Sequence, residues 1–282
     1  MSGRDLFDLI ADEMDIEMLM ESAFYHYNST PVSEKYNVDS NIPQNLIKLY
    51  YSKDTNQSDF LDIMLSFKEK YIKQESLLEG VHTKEEIEGL GLVYDYIRSD
   101  EWKKCANIYI ILAINSNLFS LTPYPEFGGS FRTSNCYIEN SDVYTTPYDK
   151  IPGEIQELWP EFDRLMKLGI ELNENKEYVD DNRIIEYIND CLKLKSRLIE
   201  IHPFSDGNGR TMRALVNLLF KIAGLPPVYV KLAERKKYLD AMGMAISEKD
   251  YSFIDKFYYY KICDSIIELD FSQRKKKVKK KK

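Results

Sequence analysis

Residues 202–213 read HPFSDGNGRTMR, which sets one of the chain's three histidines beside an acid, two glycines and two arginines. Each residue type brings its own chemistry. His202 carries the side chain of this group that can take a proton near neutral pH. Gly207 and Gly209, with Asn208 between them, let the backbone come close to a ligand. A helix starting there presents N–H groups with a partial positive charge. Arg210 and Arg213 are three residues apart, so in the first turns of that helix they point to similar sides and add two fixed cations. Such a concentration of donors suits several negative oxygens, as in a polyphosphate. Asp206 would repel the same ligand unless a cation lay between them, which makes it a candidate magnesium ligand. Taken singly, a histidine is more often structural and DGNG is usually a turn. A surface turn has no need of all of them together, with Phe204 as a buried anchor.

Two helices must carry this loop. In DNRIIEYINDCLKLKSRLIEI, residues 181–201, the side chains of Ile184, Ile188, Cys191, Leu192 and Ile199 share a face that delivers the chain to His202. Pro203 pushes the preceding residue out of the α region, so His202 should end that helix with its ring free to enter the junction. An amphipathic helix follows, beginning near TMRALVNLLFKI. Apolar spacings of three and four predict further helices over about 57–74, 83–98, 152–170, 231–247 and 251–270, with this pair at 181–200 and 209–223. Thr83 and Glu86 have capping-box spacing. Residues 125–154 break the pattern. There Phe131, Cys136, Tyr137, Ile138, Val143 and Tyr144 sit among Gly, Asn, Ser, Asp and Pro, which predicts a short β-hairpin turning near Glu139 to Asp142. The fold class expected is all-α with that one hairpin.

Composition sets the outer limits. With 282 residues, 44% of them hydrophobic, the chain can bury a real core. Four scattered cysteines without a CxxC pair suggest neither a zinc cage nor a disulfide framework. No stretch is apolar for long enough to span a bilayer and the N-terminus is acidic, so a cytoplasmic location and no membrane partner are expected. The net charge of −8 includes the basic RKKKVKKKK at 274–282, so the remainder is more acidic still and no nucleic-acid contact is expected of the core. Three parts are expected: an N-terminal helical region at 1–69, a core at 70–270, and a disordered basic tail at 271–282.

The string at 202–213 resembles the Fic motif, His-x-Phe-x-Asp/Glu-Gly-Asn-Gly-Arg-x-x-Arg, at every fixed position. Flanking features agree in order: GGSFRT at 128–133 resembles the family's flap, and SLLEG at 76–80 its inhibitory helix. The resemblance implies a Fic-type helical core and an autoinhibited protein adenylyltransferase that moves AMP from ATP to a Ser, Thr or Tyr hydroxyl of a target protein, releasing pyrophosphate. On that implication His202 is the base and Asp206 holds Mg2+. Gly207, Asn208 and Gly209 line the α- and β-phosphates, and Arg210 and Arg213 steady the diphosphate. The target would dock on the flap through Gly129, Phe131 and Arg132, and Glu79 would brake the enzyme by pairing with Arg213. Self-modification is expected, and a homodimer is compatible with the resemblance. This sequence departs from the family in having Glu75 where Ser or Thr is usual, and Leu239 and Ile246 in the base pocket beside Tyr238.

Other readings keep the same residues. Glu79 could orient a water that removes AMP from a modified protein, and another nucleotide monophosphate or phosphocholine could be transferred. A non-catalytic helical interaction module would lack the base or the acid, yet His202 and Asp206 are both present.

Overall fold

The computed structural model describes residues 58–137, 144–175 and 181–280. The region expected at 1–69 therefore lies largely outside the described residues. The described chain is helical, as expected. Its elements are α1 (Ser58–Glu79), α2 (Lys84–Arg98), α3 (Ile110–Phe119), α4 (Ile151–Glu157), α5 (Trp159–Glu174), α6 (Asp181–Ile201), α7 (Asn208–Ile222), α8 (Arg235–Ser247) and α9 (Ser252–Lys280). The last helix carries helical backbone into the stretch expected to be a disordered tail. Among the described residues no helix is long and apolar enough to cross a membrane.

The fold is organised around α7, which packs against α2, α3, α5 and α6. Every residue of α7 except Gly209 and Lys221 is buried, so its polar side chains face the interior and not water, unlike those of a surface amphipathic helix. Leu215, Leu218, Leu219 and Phe220 fill the core, while Arg210, Thr211, Arg213 and Asn217 are buried polar groups that must find partners inside. Asn217 finds them on the chain beyond the helix: its Oδ1 accepts from Val228 N at 2.7 Å and its Nδ2 donates to Val228 O at 2.9 Å.

The expected helix at 152–170 is two helices. Pro160 stands in the first turn of α5 and has no N–H to continue the ladder from α4, so the chain bends at Leu158. The Thr83 cap forms, its hydroxyl accepting from Glu86 N at 3.4 Å. Across residues 125–154 the two arms meet at one antiparallel bridge, Tyr137 with Tyr144. The turn expected at 139–142 lies outside the described residues. No disulfide joins the four cysteines.

Candidate active site

The loop between α6 and α7 is held from three directions. From within, Asn208 Oδ1 accepts from Phe204 N at 2.9 Å and Nδ2 donates to Phe204 O at 2.8 Å, closing a small ring. That commits the Asn208 side chain to loop shape. From α3, Asn115 Nδ2 donates to Asp206 O at 3.2 Å and to Thr211 Oγ1 at 3.1 Å. From residues 128–132, Arg132 is a buried clip: its Nε donates to His202 O at 2.7 Å, Nη1 to Ser134 O at 2.7 Å and Nη2 to Ile201 O and Thr146 O. A cation on the last carbonyls of α6 also suits the helix dipole.

Two positions need special backbone. Gly207 has φ of 75° at the N-cap of α7, and a Cβ there would lie 3.0 Å from Phe119 Cε2, so the turn requires glycine for both conformation and space. His202 has φ of 52°, a left-handed conformation and not the extended one that a following proline favours. The helix above it fixes this choice, since His202 N still donates to Leu198 O at 3.1 Å. Burial pushes the imidazole below its ordinary value and Arg132 acts the same way, against the opposing pull of the Ile199 carbonyl and Asp206. Its Nδ1 is buried without a hydrogen bond of good geometry. A neutral imidazole at physiological pH is the form a general base needs.

The two arginines, each 4% exposed, differ in their partners. Arg210 lies with its guanidinium carbon 5.4 Å from the Phe119 ring centre and touches Asp206 Oδ1 through Nη2 at 3.2 Å. Its Nε and Nη1 are buried with no partner in the protein. Arg213 is paired twice. Its Nε and Nη2 grip Glu75 at 2.8 to 3.0 Å, and Nη2 also donates to Glu79 Oε1 at 2.5 Å. Glu79 is the final residue of α1. That helix is closed by Gly80 and by Val81 N donating to Ser76 O at 2.9 Å, with Ser76 Oγ donating to Val81 O at 2.6 Å. Gln74 Oε1 accepts from Leu232 N at 2.9 Å and Arg235 Nε donates to Leu78 O at 3.2 Å, fixing α1 over the loop. The Glu79 carboxylate comes to rest above Gly209, 2.9 Å from where a Cβ would be. Burial works against its charge, but Arg213, Arg210 and Arg235 outweigh that and hold its carboxyl below the ordinary 4.5.

Asp206 stands at the mouth of the loop, its side chain 61% exposed, with Oδ1 accepting from Gly207 N at 2.5 Å. No group of three or more metal-ligating side chains occurs among the described residues. Of the flap residues, Phe131 packs inward near Phe204, with ring centres 6.1 Å apart, and Gly129 N donates to Asn115 Oδ1 at 3.0 Å. Gly129, Phe131 and Arg132 are thus the roots of the segment. The side chains it holds outward are Tyr137 and Tyr144, 82% and 86% exposed. In the expected base pocket Tyr238 is buried with its ring centre 5.8 Å from the Arg213 guanidinium carbon, Ile246 is buried and Leu239 is exposed.

Two residues at this site were not singled out by their sequence. Asn115 sits in an apolar run, IILAINSNLF, where a polar residue at helical spacing from Ile111 and Leu118, on the buried face, is the available signal. Glu75 was noted only as a departure, yet it is 0% exposed and makes three hydrogen bonds to Arg213.

A family model described as the Fic/DOC family matches residues 106–220. Proteins named protein adenylyltransferase Fic from Drosophila erecta and Drosophila melanogaster are each 30% identical over 161 residues, 57% of this chain and 29% of theirs. The chain spans less than a third of the length of these curated relatives. Among solved structures, a Fic domain containing signaling protein from Bacteroides thetaiotaomicron superposes with a TM-score of 0.61 at 15% identity, over 81% of this chain and 94% of that one. Fic-1 from C. elegans gives 0.60 at 17% identity, over 86% of this chain and 76% of its own. Motif, family model and shared fold agree: residues 106–220 match the Fic/DOC family, within a fold similar to those solved Fic structures.

Proposed function

We propose that the protein transfers AMP from ATP to a hydroxyl of a target protein and is restrained by Glu79. The observation that carries this reading is the convergence on one loop of a half-buried imidazole, its Nδ1 buried, and of Arg210 donors that have no partner in the protein. Buried guanidinium donors without partners are costly unless an anion satisfies them.

The chemistry balances as a single displacement. The target hydroxyl gives its proton to His202, its oxygen bonds to the α-phosphorus, and the bond from that phosphorus to the bridging oxygen breaks, releasing pyrophosphate. The loop amides at the start of α7 and the two arginines stabilise the charge on the phosphate oxygens. One exposed carboxylate, outside any cluster of three or more ligating side chains among the described residues, fits an ion that keeps most of its water and takes phosphate oxygens, as magnesium does. Asp206 would hold it, and when bound it would neutralise phosphate charge.

Glu79 supports the restraint by its position, since it lies over Gly209 and on Arg213, where a terminal phosphate would compete for the same guanidinium. The segment at 125–154 is the docking place for the target backbone, as an added strand. The same reading includes action in the cytoplasm, modification of the protein itself, and a homodimer as an option.

The test is incubation with α-labelled ATP, magnesium and a cell lysate. Glu79→Gly should raise labelling of itself and of lysate proteins at least tenfold, a displaced charge-assisted hydrogen bond being of about that worth. His202→Ala in that background should abolish it. Labelling that survives without His202, or release of AMP from a premodified target as the only activity, would reject the transfer reading.

A further inference from the structure

Arg213 is held by two carboxylates on the same helix, four residues apart, but by different edges and in different surroundings. Glu79 takes the outer side of Nη2 and its side chain is 32% exposed. Glu75 takes the Nε–Nη2 edge side-on, in a fork-to-fork geometry, and its side chain is 1% exposed. The remaining terminal nitrogen, Nη1, lies 3.0 Å from where a Cβ on Gly209 would be, so it faces the loop.

A second buried cation lies behind the pair. Lys195 is fully buried, with Nζ 4.5 Å and 4.9 Å from the ring centres of Tyr238 and Tyr258 and 3.1 Å from Met242 Sδ. Burial pushes its ammonium down, Arg213 pushes the same way, and Glu75 opposes both. Glu75 therefore pairs directly with Arg213 and also favours the charged form of Lys195. It is placed where neither a nucleotide nor water has ready access to it.

We propose that Glu75 is a positioning residue, which grips Arg213 by its Nε–Nη2 edge so that the guanidinium keeps its aim at Gly209 when Glu79 withdraws. This rests on the reading of the loop as a polyphosphate site. The alternative is that Glu75 is a second brake, spending Arg213 charge that a phosphate would otherwise use. The two make opposite forecasts. Without its positioning carboxylate, Arg213 should meet a β- or γ-phosphate less well; without a brake it should meet it better.

The experiment is calorimetric titration of ATP and of AMP, with magnesium, into Glu79→Gly, Glu79→Gly with Glu75→Gln, and Glu79→Gly with Glu75→Asp. ATP affinity should fall about tenfold with Glu75→Gln and less with Glu75→Asp, which restores the charge at shorter reach, while AMP affinity stays the same. Unchanged or tighter ATP binding would overturn the inference. An equal loss for ATP and AMP would overturn it too, since that marks general loosening of the core. Melting curves accompany each protein, and if the Gln variant does not fold, the ATP-to-AMP ratio of the Asp variant decides by the same criteria. Failure of Glu79→Gly alone to bind ATP would instead overturn the polyphosphate reading, and this inference with it.

Discussion

The two sides of the 202–213 loop are built from the same residue type and finished in opposite ways. On one side Arg210 is stacked near Phe119 with two buried donors lacking protein partners. On the other Arg213, just as buried, has its Nε and Nη2 claimed by Glu75 and Glu79. Desolvating a guanidinium costs several kcal/mol in either case. On the Arg213 side the protein supplies the compensating charge itself; on the Arg210 side it supplies a ring face and one distant carboxylate oxygen. The site is half prepared for an anion and half occupied by an internal one. Arg210 needs an incoming anion and Arg213 must first lose a carboxylate.

The contrast can be broken most forcefully at the open side. Arg210→Ala in the Glu79→Gly background should lower kcat/KM for AMP transfer by about a hundredfold, the scale of losing a preorganised donor to developing charge. A change under threefold would mean that the unpartnered donors are incidental. Asp206→Ala should act next, raising the magnesium concentration for half-maximal rate by about tenfold, because water and phosphate alone must then hold the ion. Metal titration of the rate reads this directly, and an unchanged curve would remove Asp206 as the ligand. The mildest test is pH. With His202 held below its ordinary 6.5, kcat/KM should stay level down through pH 6.5 and fall only under it. The same shift makes the folded state lose stability as pH drops from 6.5 toward the lowered value, because the unfolded chain binds that proton first. A rate midpoint at or above 6.5 would contradict a buried neutral base.

Much of the loop could be read from its letters, because its chemistry is local. His202, Asp206, Gly207, Gly209, Arg210 and Arg213 lie within twelve residues, and their spacing alone brings them together. The helices with one apolar stripe were equally legible. What escaped was whatever depended on distant contacts. Helix α3 buries one face, but Leu112 and Ala113 on the other face and Asn115 on the buried one blur the apolar pattern, so periodicity did not mark it. The break at Leu158 was hidden by apolar spacing that runs on across Pro160. The resemblance names Arg132 as a flap residue, but only the folded chain shows that the carbonyls of Ile201 and His202 come within its reach. Glu75 is the sharpest case. A buried acid is unreadable until its cation, 138 residues later in the chain, is set beside it.

Asn115 has one more consequence. Its amide gives protons to Asp206 O and Thr211 Oγ1 while its carbonyl oxygen takes one from Gly129 N, so a single planar group is bolted to three separate stretches of chain. A rigid plate of this kind cannot tilt toward one stretch without tugging the other two. The segment rooted at Gly129 and the loop at Asp206 therefore share one anchor on α3.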